Sequence, residues 1–316
     1  MSVGLQKFAG KQLAEWLYVR RVRSFDEMTN ISLKGREALK ASYTIGRHDP
    51  IREAVSVDGT RKYLFAVGEQ FIESVYIPEE DRVTLCVSTQ AGCKMGCKFC
   101  MTGTLGFHGH LSAADILNQI FYFEDLTNIV LMGEGEPMDN LDNVLRALEI
   151  MTAEYACAWS PKRITVSTVG IPAMKRFLEQ SECHLAVSMH NPFAIERQEI
   201  MPAEKMMSIT DVVTLLKQYD WSHQRRVSFE YICWSGQNDT PRHAKELLRL
   251  LKGLNCRINL IRFHEGVDRA FPASDEKQME WFRDYLTDNG ITTTIRKSRG
   301  EDILAACGML VNALTR

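Results

Sequence analysis

The sequence predicts an α/β protein built on a parallel barrel, full or partial. Three observations carry that prediction. Six strand-like runs alternate with six helix-like runs between residues 83 and 287, and strands joined through helices lie parallel with right-handed crossovers. No GxGxxG fingerprint follows the first of these strands, which counts against a dinucleotide-binding sheet. Three cysteines crowd the loop after that same strand, and barrels of this type gather their functional residues at the carboxyl ends of strands.

Residues 1–45 read as a small helical unit. Leu13, Trp16 and Leu17 fall at helical spacing, Ser24 stands ahead of Phe25, Asp26 and Glu27, and a second helix starts after Asn30 and Ser32 and runs through Leu33 and Leu39. Lys7, Lys11, Arg20, Arg21, Arg23, Lys34, Arg36 and Lys40 make the unit basic, a pattern that is usually a solvated face. Residues 46–78 form a connector, in which 62–67 and 71–77 are β-rich runs around Gly68, as in a hairpin. The strand-like runs of the barrel are 83–88, 129–132, 163–167, 184–188, 227–232 and 257–261. The helix-like runs are 113–124, 141–153, 172–180, 209–219, 242–251 and 276–287, and a strand at 292–296 and a short helix at 301–314 finish the chain. The barrel is expected over 79–302 and a C-terminal segment over 303–316.

Composition bounds the function. In 316 residues, 38 Lys and Arg stand against 40 Asp and Glu, a net charge of −2. Net charge alone therefore does not hold this chain on nucleic acid, although a local basic face stays open. An apolar fraction of 45% suits a soluble globular core. No secretory-type start and no apolar run of about 18 residues occurs, so no membrane partner is expected and the expected compartment is cytoplasmic. Thiols stay reduced there, and the nine cysteines are an odd number in any case.

Cys93, Cys97 and Cys100 lie within eight residues. Three thiolates so close can hold an iron–sulfur cluster, leaving one iron of a four-iron cluster without a protein ligand, an open position of the kind chemistry uses. Zinc with His108 or His110 as a fourth ligand, or purely structural thiols, are the alternatives from spacing alone. Gly135-Glu136-Pro137 follows the second strand. Glycine admits a close ligand and a carboxylate accepts from an ammonium, but a plain glycine-rich turn looks the same. Ser167, and Ser188-Met189-His190, end the third and fourth strands, and His264 follows the sixth. Cys86 and Cys307, like Cys157, Cys183, Cys233 and Cys256, would by themselves pass for small buried hydrophobes.

C-x3-C-x2-C with an aromatic before its last cysteine is the motif of radical S-adenosylmethionine (SAM) enzymes. The wider pattern resembles the RlmN/Cfr-type rRNA adenine methyltransferases: Leu85-Cys86 to Cys93, Gly106-Phe107, Gly133-Glu134-Gly135-Glu136-Pro137, Ser188-Met189-His190, and Arg299-Gly300-Glu301-Asp302 to Ala306-Cys307-Gly308. The likeness runs from about residue 5 to 314. It implies a partial (β/α)6 barrel, a [4Fe-4S] cluster on Cys93, Cys97 and Cys100, and SAM contacts from Gly135, Glu136, Ser167, Ser188, Met189, His190 and His264. It implies that Cys307 is methylated by one SAM, that a 5′-deoxyadenosyl radical from a second activates that methyl group, and that Cys86 resolves the RNA crosslink by a disulfide with Cys307. Glu73 takes the place of the proton-handling acid/base. Partners implied are 23S rRNA, with tRNA a second candidate, and an electron donor such as a flavodoxin-type reductase system, the enzyme being a monomer. C2 of adenine is preferred over C8 as target. Neither carbon is nucleophilic, so a radical route avoids the barrier to direct methyl-cation transfer. Two positions depart from the family: Glu134 stands where Met is common, and His264 where Asn is common. Basic clusters at Arg61-Lys62, Arg225-Arg226 and Arg296-Lys297-Ser298-Arg299 join the N-terminal helices as candidate RNA contacts.

Overall fold

The computed structural model describes residues 5, 8–222, 226–264 and 271–310; Lys7, Arg225 and Leu314 lie outside that set. The N-terminal unit is helical as its caps predict. Helix α1 (Ala9–Ala14) passes into a π-helical turn, Glu15–Val19. Ser24 and Glu27 form a reciprocal capping box on a 3-10 turn, and Ser32 caps α2 (Leu33–Ser42) through the amide of Gly35. Phe25, Met28, Ile31 and Leu39 build a core of its own.

Three antiparallel strands follow: β1 (Arg52–Val55), β2 (Arg61–Val67) and β3 (Gln70–Pro78). β4 (Val83–Cys86) leads to a small ribbon of β5 (Gln90–Gly92) and β6 (Phe107–His110), which brackets α3 (Met101–Thr104). Then come α4 (Ala113–Phe121), β7 (Asn128–Leu131), α5 (Leu141–Thr152), β8 (Ile164–Thr168), α6 (Met174–Gln180) and β9 (His184–Ser188). The chain continues through α7 (Ala194–Ile200), α8 (Ile209–Gln218), β10 (Val227–Cys233), α9 (Pro241–Leu251), β11 (Cys256–Arg262), α10 (Glu276–Asp288) and β12 (Thr292–Ile295).

The expected barrel strands are β4 and β7 to β11. They stand side by side in chain order, each parallel to the next, and β12 extends the parallel set. The ends of β7 through β12 line one common cavity, so the sheet curls as a partial barrel does. Two features differ from expectation. The hairpin is continuous with the barrel: β3 pairs antiparallel with β4, Val75 opposite Cys86, making one ten-stranded sheet. The turn at Glu79, whose amide donates to the Arg82 carbonyl, sends the chain straight back. The terminal helix is also absent among the described residues. Only Glu301–Ile303 makes a 3-10 turn, because Gly300, Leu304 and Gly308 take left-handed φ of 63°, 52° and 80°, which no α-helix continues through.

Arg197 ties the strand ends together. Its side chain is fully buried, forms an ion pair with Glu204, and donates to the carbonyls of Met189, Ser188 and Val169 at 2.9, 2.8 and 2.6 Å. Removing one partner of a buried pair strands the other charge. Arg197→Met is expected to lower stability by about 3–5 kcal/mol, read as a fall in the urea midpoint.

Candidate active site

The cysteine loop is gripped from both sides. Gly92, at φ +69°, lies so near the Gly106 carbonyl that a Cβ would come within 1.9 Å, and the Cys93 amide donates to that carbonyl at 2.9 Å. The Lys98 amide reaches the Ile200 carbonyl at 3.0 Å. Cys93, Cys97 and Cys100 consequently face one cavity of about 880 Å³. Burial pushes the Cys93 thiol up to about 12 and raises Cys97 and Cys100 as well. Such thiols ionise only with a cation to hold them.

The opposite wall is made by strand ends. Gly135 has φ +97°, and a Cβ there would sit 2.5 Å from Gln90. Gln90 in turn accepts from the Glu136 amide at 2.9 Å. The Glu136 carboxylate is buried and accepts from the amides of Val169 and Met138 at 2.9 and 3.1 Å. Burial outweighs those bonds and raises its carboxyl to about 7. Ser167, Ser188 and His190 also line the wall. His190 Nδ1 accepts from the Ile232 amide at 3.0 Å, its ring meets Phe99 edge-on at 4.7 Å, and burial drops its pKa to about 3. It is a neutral imidazole whose hydrogen sits on Nε2. Met189 points elsewhere: it is wholly buried in the core and does not line the cavity.

A second cavity of about 1370 Å³ adjoins the first, and Cys307, Cys100 and Arg296 line both. Cys86 lines the second. Cys307 is the exposed cysteine among the nine, because its open face is the cavity. Burial, and then the neighbouring Cys307, push the Cys86 thiol up to about 12. Although Cys307 is open to the cavity, the walls around it desolvate the thiol and raise it, and Arg296 pulls it back. His264 belongs to this second cavity and not to the first; it hydrogen-bonds Ser298, and its Nδ1 lies 3.4 Å from Glu301. Glu73 lines neither. It is buried in an ion pair with Lys62 at 3.0 Å, facing a smaller cavity beside Asp302, Ile303 and Leu304. Cys183, Cys233 and Cys256 are buried and Cys157 is half-buried.

A radical SAM superfamily model matches residues 87–260, and a model of the ribosomal RNA large subunit methyltransferase N-terminal domain matches residues 1–45. A Bacteroides thetaiotaomicron protein described as a probable dual-specificity RNA methyltransferase RlmN is 58% identical, over 98% of this chain and 92% of that one. The dual-specificity RNA methyltransferase RlmN of Syntrophus aciditrophicus is 41% identical, over 98% and 91%. The crystal structure of a radical SAM methyltransferase from Sphaerobacter thermophilus superposes with a TM-score of 0.91 at 34% identity, covering 98% of this chain and 95% of that one. The chain belongs to the RlmN-type radical SAM methyltransferase family.

Membership in the radical SAM family implies a [4Fe-4S] cluster and SAM, and the donors present fit both. Three thiols open on one cavity, while among the described residues no three His, Cys, Asp or Glu close round a single ion. The two histidines considered as a fourth zinc ligand stand away from the cavity: His108 bonds the Leu105 carbonyl, His110 bonds Gln90, and neither lines it. The RlmN-type departure at Glu134 has a structural explanation, since its buried carboxylate accepts from the amides of Glu73 and Gly92 at 2.8 and 3.3 Å. The basic clusters are less free than the sequence suggests. Arg20, Arg23 and Lys40 pair with Glu15, Asp49 and Asp26, Lys62 is buried, and Arg296 is a cavity wall. No helix among the described residues is long and apolar enough to cross a membrane.

Sequence reasoning missed Glu230. It is buried on the cavity wall, Asn259 donates to its Oε1 at 2.7 Å, and Arg296 lies 3.5 Å from its Oε2. The available signal was a carboxylate inside a strand that is buried at all seven positions. The site also makes stability pH-dependent. His190 is neutral when folded and charges when unfolded, so stability is full above the ordinary histidine value and declines as pH falls from 6.5 toward about 3. Glu136 acts oppositely, stability falling as pH rises from 4.5 to about 7. Melting temperatures across this range are expected to show a shallower acid decline for His190→Gln, and a steeper one for Glu136→Gln.

Proposed function

We propose that this enzyme methylates a ring carbon of adenine, C2, in 23S rRNA, with tRNA as a second substrate, through S-methylated Cys307. The observation that carries this reading is the place of Cys307: an exposed thiol at the junction of two contiguous cavities, one holding the three cluster cysteines and the other holding Cys86. The relatives named as dual-specificity RNA methyltransferases, and the large-subunit rRNA methyltransferase domain at 1–45, support an RNA substrate.

When bound, the cluster and two molecules of SAM per turnover supply a methyl group and a 5′-deoxyadenosyl radical. The chain's own residues do the rest. Cys93, Cys97 and Cys100 hold the cluster. Gly135 leaves room for a ligand against the turn, and Glu136 takes the SAM ammonium. Ser167, Ser188 and the neutral His190 offer hydrogen bonds along the same wall. Arg296, within reach of both Cys307 and Cys86, favours their thiolates against burial. Cys307 carries the methyl group on Sγ. Once that carbon is bonded to adenine, the Cys86 thiolate, on the wall of the same cavity, attacks Sγ. The Sγ–C bond breaks with its electron pair going to the product, which takes up a proton, and a Cys86–Cys307 disulfide remains. Glu73 handles a proton from behind the Cys307 segment, with Lys62 as its counter-ion. His264 holds Ser298 beside the substrate cavity. A flipped adenine fits the demand for access to a ring carbon.

Cys307→Ala is expected to keep the cluster and SAM binding and to lose RNA methylation; mass spectrometry of nucleosides from treated 23S rRNA and tRNA gives the product, 2-methyladenosine, and its absence in the variant. Retention of methylation by Cys307→Ala, or an 8-methyl product, would contradict the reading. A second test uses Glu136. Because its carboxyl sits at about 7 without ligand, it must lose a proton to meet an ammonium. Affinity for SAM is expected to fall by up to about tenfold per pH unit below 7, and Glu136→Gln to bind weakly with that dependence abolished, measured by equilibrium dialysis.

A further inference from the structure

The motif Arg299-Gly300-Glu301-Asp302 has no part in the chemistry above, yet its side chains and backbone are densely bonded. Between β12 and Cys307 the described residues hold no helix or strand beyond the 3-10 turn at Glu301–Ile303, which left-handed Gly300 and Leu304 flank. The Gly300 carbonyl and the amides of Ile303, Leu304 and Ala305 are paired within this short turn, and the remaining polar groups need partners from elsewhere. The turn joining β1 to β2 supplies them. Asp58 accepts from the Gly300 amide at 3.1 Å. Asp302 accepts from the Ser56 hydroxyl at 2.5 Å and the Val57 amide at 3.2 Å. Lys62, ion-paired with Glu73, also donates to the Leu304 carbonyl at 3.3 Å. Packing agrees: a Cβ on Gly300 would lie 2.8 Å from Ala305 and 2.9 Å from Thr60.

A second grip lies just beyond Cys307. The Met101 amide, next to the last cluster cysteine, donates to the Gly308 carbonyl at 2.7 Å, and the Thr102 hydroxyl donates to the Leu310 carbonyl at 3.0 Å. Cys307 thus hangs between a clamp at 300–304 and a clamp at 308–310. Hydrogen bonds at the outer clamp cross some 240 residues of chain, and they place a thiol that local backbone geometry does not place.

We propose that the β1–β2 turn and Lys62 form a latch that sets where Cys307 stands, making Ser56, Asp58, Lys62 and Asp302 positioning residues for methyl transfer. The proposal rests on the reading of Cys307 as methyl carrier. Burial pushes the Asp58 carboxyl up, but bonds from Thr60, Gly300 and Ser56 outweigh it and hold it near 2; the Ser56 hydroxyl and Val57 amide lower Asp302. Both latch carboxylates are therefore charged at neutral pH.

The test uses cluster-loaded wild type, Asp302→Ala and Ser56→Thr, with Ser56→Ala as the milder variant should Asp302→Ala fail to fold. Four quantities are measured: iron per chain, SAM affinity by dialysis, the rate at which Cys307 gains a methyl group by peptide mass spectrometry, and the rate of Cys307 labelling by iodoacetamide. Asp302→Ala is expected to keep iron and SAM affinity within about twofold and to slow Cys307 methylation by about tenfold or more, as misplacing a reacting group does. Its Cys307 labelling rate should rise severalfold, and Ser56→Thr should behave as wild type. Wild-type methylation of Cys307 in Asp302→Ala overturns the latch alone. Loss of iron and SAM affinity in parallel with methylation also overturns it, since the turn would then support the fold at large. RNA methylation with no methyl ever found on wild-type Cys307 overturns the carrier reading, and the latch with it.

Discussion

The site depends on one close approach, between the turn at residues 133–135 and the strand end at residues 87–90. A Cβ on Gly133 would lie 2.8 Å from the Val87 backbone, and one on Gly135 would lie 2.5 Å from Gln90. That contact is bonded as well as packed. The Glu134 carbonyl accepts from the amides of Thr89 and Gln90, the Ser88 hydroxyl accepts from the Glu134 amide, and the Glu134 carboxylate reaches the amides of Glu73 and Gly92. Strands β3, β4 and β7 and the ribbon that grips the cysteine loop therefore meet at three consecutive residues. Larger side chains at the glycines would part β4 from β7, and the cluster cysteines would lose their fixed relation to the remaining strand ends.

From that junction the curl of the sheet does the rest. Because the parallel strands follow chain order, successive strand ends sweep round one cavity and set polar groups along its wall: Glu136 after β7, Ser167 and Thr168 on β8, Ser188 and His190 at the end of β9, Glu230 on β10, Arg296 after β12. Burial dominates the chemistry of the titratable groups here: the Cys93 thiol and Glu136 are raised, and His190 is kept neutral. In such surroundings one cation counts for much. Arg296 stands where both cavities meet, and its charge is the main force opposing burial at Cys307.

Much of this was legible because it obeys local rules. The strand runs were apolar, the caps at Ser24 and Ser32 were the residue type a helix start needs, and the three cluster cysteines were neighbours in sequence. What was not legible is long-range. Pro78 to Asp81 looks like the end of a hairpin, and only the pairing of Val75 with Cys86 shows the hairpin joining the barrel. Residues 301–314 carry apolar residues at helical intervals, but left-handed Leu304 breaks the helix, a conformation that the Lys62 bond to its carbonyl and the Asp302 contacts accompany. Lys62 and Arg296 read as surface charges because composition does not reveal a buried counter-ion; Glu73 and Glu230 are those counter-ions.

The irregular C-terminal segment follows from what Cys307 has to do. A thiol inside a helix or strand would be held by its own element and buried by its neighbours, as Cys233 and Cys256 are. A thiol on a free tail would be exposed but unplaced. Here the backbone leaves regular structure after β12, is held by the β1–β2 turn on one side and by α3 on the other, and so leaves Cys307 exposed at the junction of two cavities. The grip on the cluster side comes from the residue directly after Cys100, so the loop that orders the cluster cysteines also orders the neighbour of Cys307. Exposure and fixed position, which regular secondary structure sets against each other, are reconciled by bonds from two distant parts of the chain.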